Sequence, residues 1–200
     1  MKNILIKFPG EALSLAQTQS LLALAGIQAP GVSIDVCHAL DATETYVYAQ
    51  IPLSTPPAQL QDLFDQRKKI QGALAVKHPS VLVVDLQCTL DVAGYSADKA
   101  GGWHYVVETD VRPGGEDDFE AWYCTEHLPG LAAVPGTVRA RRYISAQTAP
   151  RHYATYDLAT LETYGSTPWI AVRDTSWSSR VRPTFFNTKR TMFRHVESTS

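Results

Sequence analysis

Hydrophobic and polar positions follow two different patterns along the chain. Apolar residues recur at three-to-four spacing in four segments, which predicts amphipathic helices at residues 13–25, 57–74, 117–128 and 161–174, with an extension of the last to residue 179 left open. Runs rich in β-branched and aromatic residues predict strands at residues 2–8, 32–40, 45–52, 80–89, 103–110, 137–145, 152–158 and 186–196. The predicted order is β-α-β-β-α-β, occurring twice.

A weak internal repeat supports this organisation. The segments that begin at Pro30-Gly31 and Pro135-Gly136 each continue as a strand, a polar turn and a second strand that contains tyrosine. The two prolines are 135 − 30 = 105 residues apart, about half of the chain, as a tandem duplication would give. We therefore predict a first half at residues 1–92, a linker at residues 93–102 and a second half at residues 103–200.

Each predicted half has the element order of the ferredoxin-like fold, in which an antiparallel four-stranded sheet carries both helices on one face. The other face of such a sheet must also be buried, and a second copy in the same chain can cover it. The sequence therefore predicts an α+β protein built from two tandem ferredoxin-like repeats, which form one α+β barrel within the chain.

Composition and motifs remove several classes of function. The chain is 44% hydrophobic and 19% charged with a net charge of -2, so a globular protein without affinity for nucleic acid is expected. We find neither a secretory leader nor an apolar run of membrane length, and expect a cytoplasmic protein without a membrane partner. The three scattered cysteines indicate neither disulfides nor a metal site.

Cofactor motifs are missing as well. The sequence contains no HxH or HExxH ligand pair, no glycine-rich nucleotide motif and no GxSxG nucleophile motif. We therefore predict no metal and no cofactor. Haem alone stays open, because a single axial histidine leaves no spacing that could be recognised.

Candidate catalytic residues lie at the end of the third predicted helix. A helical stripe contains Phe119, Trp122, Tyr123, Glu126 and His127 and is expected to face the sheet. His127 is the candidate general acid or base, because an imidazole titrates near neutral pH. Glu126 would orient the imidazole or bind the substrate, and Tyr123 completes the predicted catalytic set.

The alternative is a histidine in the last helical turn that only interacts with the helix dipole, beside a solvated Glu126. The corresponding first-half helix ends Leu22-Ala23-Leu24-Ala25-Gly26, without acid or imidazole. A helix in this fold can thus end without the pair, which favours a functional site in the second half.

Substrate-binding residues are predicted around this helix. The strand that follows Pro135-Gly136 carries Arg139, Arg141 and Arg142; an arginine in the pocket would bind a carboxylate or enolate. The alternative, expected for at least two of the three, is an ion pair with Glu108 or Asp157. We predict that Arg139 and Arg141 bind the substrate and that the aromatic lining consists of Trp103, Tyr105, Tyr143, Tyr156 and Trp169.

Residues 117–144, DDFEAWYCTEHLPGLAAVPGTVRARRYI, resemble the EthD-like proteins of the dimeric α+β-barrel superfamily. Residues 166–183, STPWIAVRDTSWSSRVRP, resemble the second helix of the same group, whereas the first half is similar only in element order. The resemblance implies that two units, usually from two subunits, are fused here with one competent site. The superfamily includes cyclases, isomerases, a dehydratase, cofactor-free monooxygenases and haem-dependent branches.

We therefore expect a cofactor-independent enzyme of the lyase or isomerase type, which uses His127 in acid-base chemistry on a small cyclic, aromatic or polyketide-like metabolite, acidic or neutral. A cofactor-free monooxygenase is the second candidate. A non-catalytic binding protein for a hydrophobic metabolite is the third. Because one chain supplies both halves, either a monomeric barrel or a homodimer is expected.

Overall fold

The structure is a computed structural model, and it describes residues 2–27, 32–51 and 67–196. Hydrogen bonding joins eight strands in the closed order β1-β3-β2-β8-β5-β7-β6-β4, which makes an antiparallel barrel. The predicted fold class, an α+β barrel formed within one chain, is confirmed.

The first half contains β1 (Lys2–Pro9), α1 (Leu15–Leu24), β2 (Ser33–Ala39), β3 (Glu44–Ile51), α2 (Arg67–Ala75) and β4 (Leu82–Ala93). Strand β1 pairs antiparallel with both β3 and β4, so that Ile6 lies opposite Val47 on one side and Val83 on the other. Residues 57–66 of the predicted second helix, and the Pro30-Gly31 repeat anchor, lie outside the described residues.

The second half contains β5 (Trp103–Val111), α3 (Glu116–Trp122), a π-helical turn (Tyr123–His127), α4 (Leu128–Ala132), β6 (Thr137–Ile144), β7 (His152–Leu158), α5 (Thr167–Arg173), α6 (Ser176–Val181) and β8 (Phe185–His195). Short 3-10 turns cover Leu161–Thr163 and Arg182–Thr184. Strand β7 pairs antiparallel with β5 and β6, and Tyr156 lies opposite Tyr105 and Ala140.

The third helix continues past its predicted end. It was expected to stop at residue 128 before Pro129, but helical structure runs to Ala132. The reason is the π-helical turn, in which the Leu128 N–H donates to the Tyr123 carbonyl, five residues back. Pro129 follows where the hydrogen-bond spacing changes, and its missing N–H is tolerated there as in a first helical turn.

The fourth predicted helix, residues 161–174, is divided. Gly165 has φ +79°, and the Ser166 hydroxyl then caps α5 by accepting from the Trp169 N–H. The predicted extension to residue 179 is also not continuous with this helix. The Thr175 hydroxyl accepts from the Ser178 N–H at 3.0 Å and caps the start of a separate helix, α6. Two local capping signals therefore outweigh the continuous apolar periodicity.

The chain divides into two compact units, one made of Met1–Gln87, Ser145–Thr148 and Arg194–Ser200, the other of Cys88–Ile144 and Ala149–Phe193. Each unit has its own buried apolar cluster. Ile4, Ile6, Phe8 and Ile70 belong to the first cluster; Phe119, Trp122, Leu131, Tyr156 and Trp169 belong to the second. The predicted linker at residues 93–102 lies within the second unit. No helix among the described residues is long and apolar enough to cross a membrane.

Candidate functional site

A cavity lies within the second unit, and half of the residues that line it form an aromatic wall. The enclosed space measures about 30 Å³, and the whole depression, including the part open to solvent, about 360 Å³. The enclosed space is about the volume of one water molecule, so a ligand would place only a small group inside it, and its remainder would lie in the open part of the depression. The aromatic wall is formed by Tyr105, Trp122, Tyr123, Tyr156, Trp169 and Phe185. The remaining lining residues are Val107, His127, Leu131, Arg173, Arg182 and Arg190.

The π-helical turn sets the position of His127. The imidazole stacks on the Trp122 indole with ring centroids 4.1 Å apart and an angle of 20° between the planes. In an α-helix, side chains five residues apart would point about 140° away from each other. The wider turn, with its hydrogen bonds to the fifth residue back, brings them to one side. His127 is consequently only 8% exposed and lies on the cavity wall.

His127 is a neutral imidazole near physiological pH. Burial, followed by the nearby charges of Arg173 and Arg182, lowers its pKa from an ordinary value of 6.5 to about 3. Each of these causes disfavours the imidazolium form. The imidazole is therefore unprotonated at neutral pH: it is free to accept a proton, but with so low a pKa it binds one weakly, and it carries none that it could donate at the start of a reaction.

Four buried polar atoms on this wall have no hydrogen-bond partner among the described residues: Trp122 Nε1, His127 Nδ1, Tyr156 OH and Trp169 Nε1. Elsewhere in the described ranges, only Asn3 Oδ1 and Arg141 Nε share this state. Buried polar groups are normally paired, because an unmet partner costs about 1–3 kcal/mol. Their concentration around one cavity indicates a place for a polar ligand group.

Three arginines complete the lining. Arg173 ends α5, Arg182 starts a 3-10 turn and Arg190 lies on β8. None forms an ion pair within the part of the chain that the structure describes. Burial, and then the charges of Arg173 and Arg190, lower the pKa of Arg182. The cavity thus combines apolar walls with an uncompensated positive potential.

The tyrosines of the wall remain phenols. Burial is the main cause that raises the pKa values of Tyr105, Tyr123 and Tyr156. For Tyr105, the neighbouring Tyr164 contributes in the same direction through its charge and a hydrogen bond. Phenolic hydroxyls held in the neutral form can donate hydrogen bonds to a ligand oxygen.

Of the ten predicted site residues, the structure brings five together: Tyr105, Tyr123, His127, Tyr156 and Trp169 line the cavity. Glu126 does not, because its Oε1 accepts a hydrogen bond from the Thr175 hydroxyl at 2.6 Å. The π-helical turn adds one residue to the helical repeat, so His127 takes the inward position that an α-helix would give Glu126.

The predicted arginines of β6 are engaged elsewhere. Arg139 binds both oxygens of Asp91, at 2.7 and 2.6 Å. Arg141 Nη1 lies 3.1 Å from Asp157 Oδ2, which is one of the two ion pairs named as the alternative. Trp103, which packs against the second core, and buried Tyr143 are likewise not among the lining residues.

Arg142 supports the site from behind. It is fully buried, pairs with Glu120, and places its guanidinium 4.5 Å from the Tyr123 ring centroid and 4.9 Å from that of Phe119. This stack fixes one wall of the cavity by a charge-aromatic contact.

Arg173, Arg182, Arg190 and the indole N–H of Trp122 were not predicted as site residues. One signal in the sequence could have indicated the arginines: residues 173–194 contain six basic residues and a single acid, Asp174. Such an imbalance leaves positive charges without local partners. The sequence does not reveal which of them point inward.

A haem does not fit this site. The enclosed space beside His127, its candidate axial ligand, is about the volume of one water molecule and cannot take a macrocycle. In the first unit, Asp35, Cys37 and His195 lie together, with His195 Nδ1 at 2.8 Å from Asp35 Oδ1 and 3.5 Å from Cys37 Sγ. None of these three residues lines the cavity.

Neither a family model nor a curated protein matches the sequence. Solved structures do match over nearly the whole chain. A protein from Fusobacterium nucleatum, provisionally described as a monooxygenase, has a TM-score of 0.64 at 10% identity, over 98% of this chain and 92% of that one. An anthrone oxidase-like protein has a TM-score of 0.62 at 16% identity, over 98% and 91%.

A third similar structure is a heme-degrading enzyme from Listeria monocytogenes. Its TM-score is 0.58 at 7% identity, over 97% of this chain and 99% of that chain. Identities this low show that the fold is shared and do not transfer an activity.

Proposed function

We propose that this chain is a cofactor-independent enzyme that removes a proton from a small, flat cyclic or aromatic compound, with His127 as the general base. The observation that carries the proposal is the state of His127, which is buried, uncharged and unpaired at Nδ1 on a cavity wall. A histidine kept only for structure would have its buried nitrogen paired.

The rest of the lining suits the charge that such a reaction creates. Removal of a proton from the carbon next to a carbonyl, or from a phenol hydroxyl, leaves a negative charge on oxygen. The indole N–H groups of Trp122 and Trp169 and the hydroxyl of Tyr156 can donate to that oxygen without reorganising, because none is engaged by the described residues. The arginines add positive potential to the same space.

The captured proton does not remain on His127. Arg173 and Arg182 disfavour the imidazolium, so the proton passes on to the substrate or to water. Return to another atom of the substrate gives isomerase, cyclase or dehydratase chemistry, which is our first candidate. The resemblance of residues 117–144 to EthD-like proteins supports the same class.

A cofactor-free monooxygenase is the second candidate, and the descriptions of two similar structures support it. Here the substrate carbanion transfers electrons to molecular oxygen. A ring methylene loses two hydrogens and gains one oxygen atom as a carbonyl, while the second oxygen atom leaves as water. The protein residues would do the same work as in the first candidate: abstract the proton and hold the oxyanion.

The test separates proton removal from the later steps of the reaction. Anthrone and 2-tetralone serve as probes, because each has a ring methylene of moderate acidity. Hydrogen-deuterium exchange is measured in heavy water under nitrogen, and oxygen uptake is measured in air. We expect His127→Gln to lower the enzymatic exchange rate by about 10²–10⁴-fold.

His78→Gln is the matched control, because His78 pairs with Glu11 in the first unit and should not affect exchange. Exchange without oxygen uptake identifies the first candidate, and exchange with uptake identifies the second. If neither probe shows exchange that depends on His127, the proposal is wrong.

A further inference from the structure

Three cavity arginines differ from the other arginines of the second unit. Arg139, Arg141, Arg142 and Arg180 each have a carboxylate partner. Two more, Arg112 and Arg151, are exposed on the surface and do not line the cavity. Arg173, Arg182 and Arg190 come from three separate elements, line one depression, and have no ion-pair partner within the described ranges.

The three arginines are also less buried than the aromatic wall. Arg173 and Arg182 are half-buried and Arg190 is exposed, whereas the aromatic wall formed by Trp122, Tyr156 and Trp169 is buried. A ligand that enters would place its apolar part against the aromatic wall. Any group that stays near the opening would then meet guanidinium groups.

We infer that the substrate carries a carboxylate on a flat apolar ring system, and that Arg173, Arg182 and Arg190 bind this carboxylate. The inference rests on the proposed function for the identity of the site, and it adds the chemical class of the ligand. Guanidinium groups present a planar fork of donors that matches a carboxylate, and such charge-assisted hydrogen bonds are the stronger ones.

Like charges held together without an anion repel one another, and this repulsion contributes to the lowered pKa of Arg182. A bound carboxylate would offset it. The ionisable side chains that line the cavity with His127 are Tyr105, Tyr123, Tyr156, Arg173, Arg182 and Arg190. Because the phenols are neutral, the arginines are the charges that act on the imidazole.

Binding of the substrate and activation of the base are therefore coupled. A carboxylate beside Arg173 and Arg182 would cancel the charges that disfavour the imidazolium. The pKa of His127 should then rise from its value in the free protein. His127 would therefore be a stronger base with an anionic ligand in place than with a neutral one.

The experiment compares 1-naphthoate with 1-naphthamide, which has nearly the same shape without the charge. Isothermal titration calorimetry on the full chain should show at least tenfold tighter binding of the carboxylate. Arg173→Gln and Arg182→Gln should each weaken naphthoate binding about tenfold, as the loss of one charge-assisted contact would. Naphthamide binding should not change.

Arg180→Gln is the matched control, because Arg180 lies two residues from Arg182 but pairs with Asp118 at 2.8 Å. It should leave the binding of both compounds unchanged. Arg182→Lys retains the positive charge and serves as a second variant in case Arg182→Gln does not fold. Circular dichroism checks the folding of both variants. In NMR titrations of labelled histidine, naphthoate and not naphthamide should raise the pKa of His127.

Equal affinities for the two compounds, no binding of either, or an equal loss in Arg180→Gln would overturn the inference. The binding test does not depend on turnover, so His127→Gln should keep the preference for naphthoate. If this preference is present while the exchange experiment fails, the proposed catalysis is wrong and the anion site stands. The chain would then be a binding protein for aromatic acids.

Discussion

The two halves share an element order but build their first helices differently. Helix α1 is regular: Ser14 and Gln17 form a capping box at its start, and Gly26, with φ +73°, follows its end. Its counterpart runs from Glu116 to Ala132 and contains the π-helical turn. The fold therefore does not require the irregular turn, which in the second half sets the position of His127.

The depressions of the two units differ in a second respect. The one beside α1 is roomier, at about 630 Å³ with its open part included against about 360 Å³ beside His127, but it is shallow. It is lined by Leu13, Ala16, Gln17, Ser20, Leu21 and His78. His78 there pairs with Glu11 at 2.7 Å. The enclosed space beside His127 is far smaller, yet four polar atoms around it are unpaired within the described ranges. Unmet hydrogen bonds, and not volume, distinguish the functional candidate.

The neutral state of buried His127 can be tested through acid stability. The pKa of folded His127 is about 3, so the unfolded chain takes up a proton below pH 6.5 while the folded chain does not. Stability must fall as the pH decreases from 6.5. At about 1.4 kcal/mol per pH unit over 1.5 units, the free energy of unfolding loses about 2 kcal/mol by pH 5.

Urea unfolding at pH 7 and pH 5 measures this loss. His127→Gln should lose about 2 kcal/mol less than the wild type on acidification. The lowered pKa of His152, also caused mainly by burial, contributes equally to both proteins and cancels. An equal loss in wild type and His127→Gln would show that His127 is not held neutral.

A second prediction concerns the cost of the unpaired atoms. Tyr156→Phe removes a buried hydroxyl that has no partner among the described residues. We expect the free energy of unfolding to rise by about 1 kcal/mol, because an unmet buried polar group is destabilising. The exchange rate on anthrone should fall at the same time. Gains in stability with losses in activity are typical of residues kept for function.

Tyr95→Phe is the control for this change, since Tyr95 is 71% exposed and its hydroxyl is hydrated in the folded and unfolded states. No effect on stability is expected from it. Thermal unfolding of both variants, together with the exchange assay, gives the comparison. A clear destabilisation by Tyr156→Phe would mean that the hydroxyl has a partner, such as a bound water.

The strands were predictable from sequence because burial imposes local patterns. Strand β7 was predicted at residues 152–158 and found at His152–Leu158. The helix ends were less predictable, since the caps at Ser166 and Thr175 compete with apolar periodicity. The π-helical turn was not predictable at all, because nothing in local propensity marks the change in hydrogen-bond spacing.

The contacts that the arginine side chains of β6 make depend on residues that are distant in sequence. Arg139 and Arg141 pair with Asp91 and Asp157, which lie 48 and 16 residues away from them. The register of the sheet brings these carboxylates to β6, and a single sequence does not reveal that register. His127 was predicted as a site residue because an imidazole at this helix end, and none at the corresponding end in the first half, is visible in the local sequence.

The smallest expected effect belongs to Glu126, which helical periodicity placed beside His127 and the π-helical turn rotates toward Thr175. Glu126 Oε1 accepts from the Thr175 hydroxyl, and the same hydroxyl caps α6. Because an amide oxygen can still accept this bond, Glu126→Gln should change the free energy of unfolding by less than about 1 kcal/mol. Its exchange rate should stay close to that of the wild type.

Thr175→Val is the informative partner of this variant, since it removes both the cap and the contact with Glu126. It should cost about 1 kcal/mol of stability, as the loss of a threonine cap usually does. Exchange rates of the two variants then decide the role of the carboxylate. A hundredfold loss in Glu126→Gln without a comparable loss in Thr175→Val would show that Glu126 acts on the reaction directly. Similar small losses of exchange rate in both variants would mean that, of Glu126 and His127, only His127 takes part in the proposed reaction.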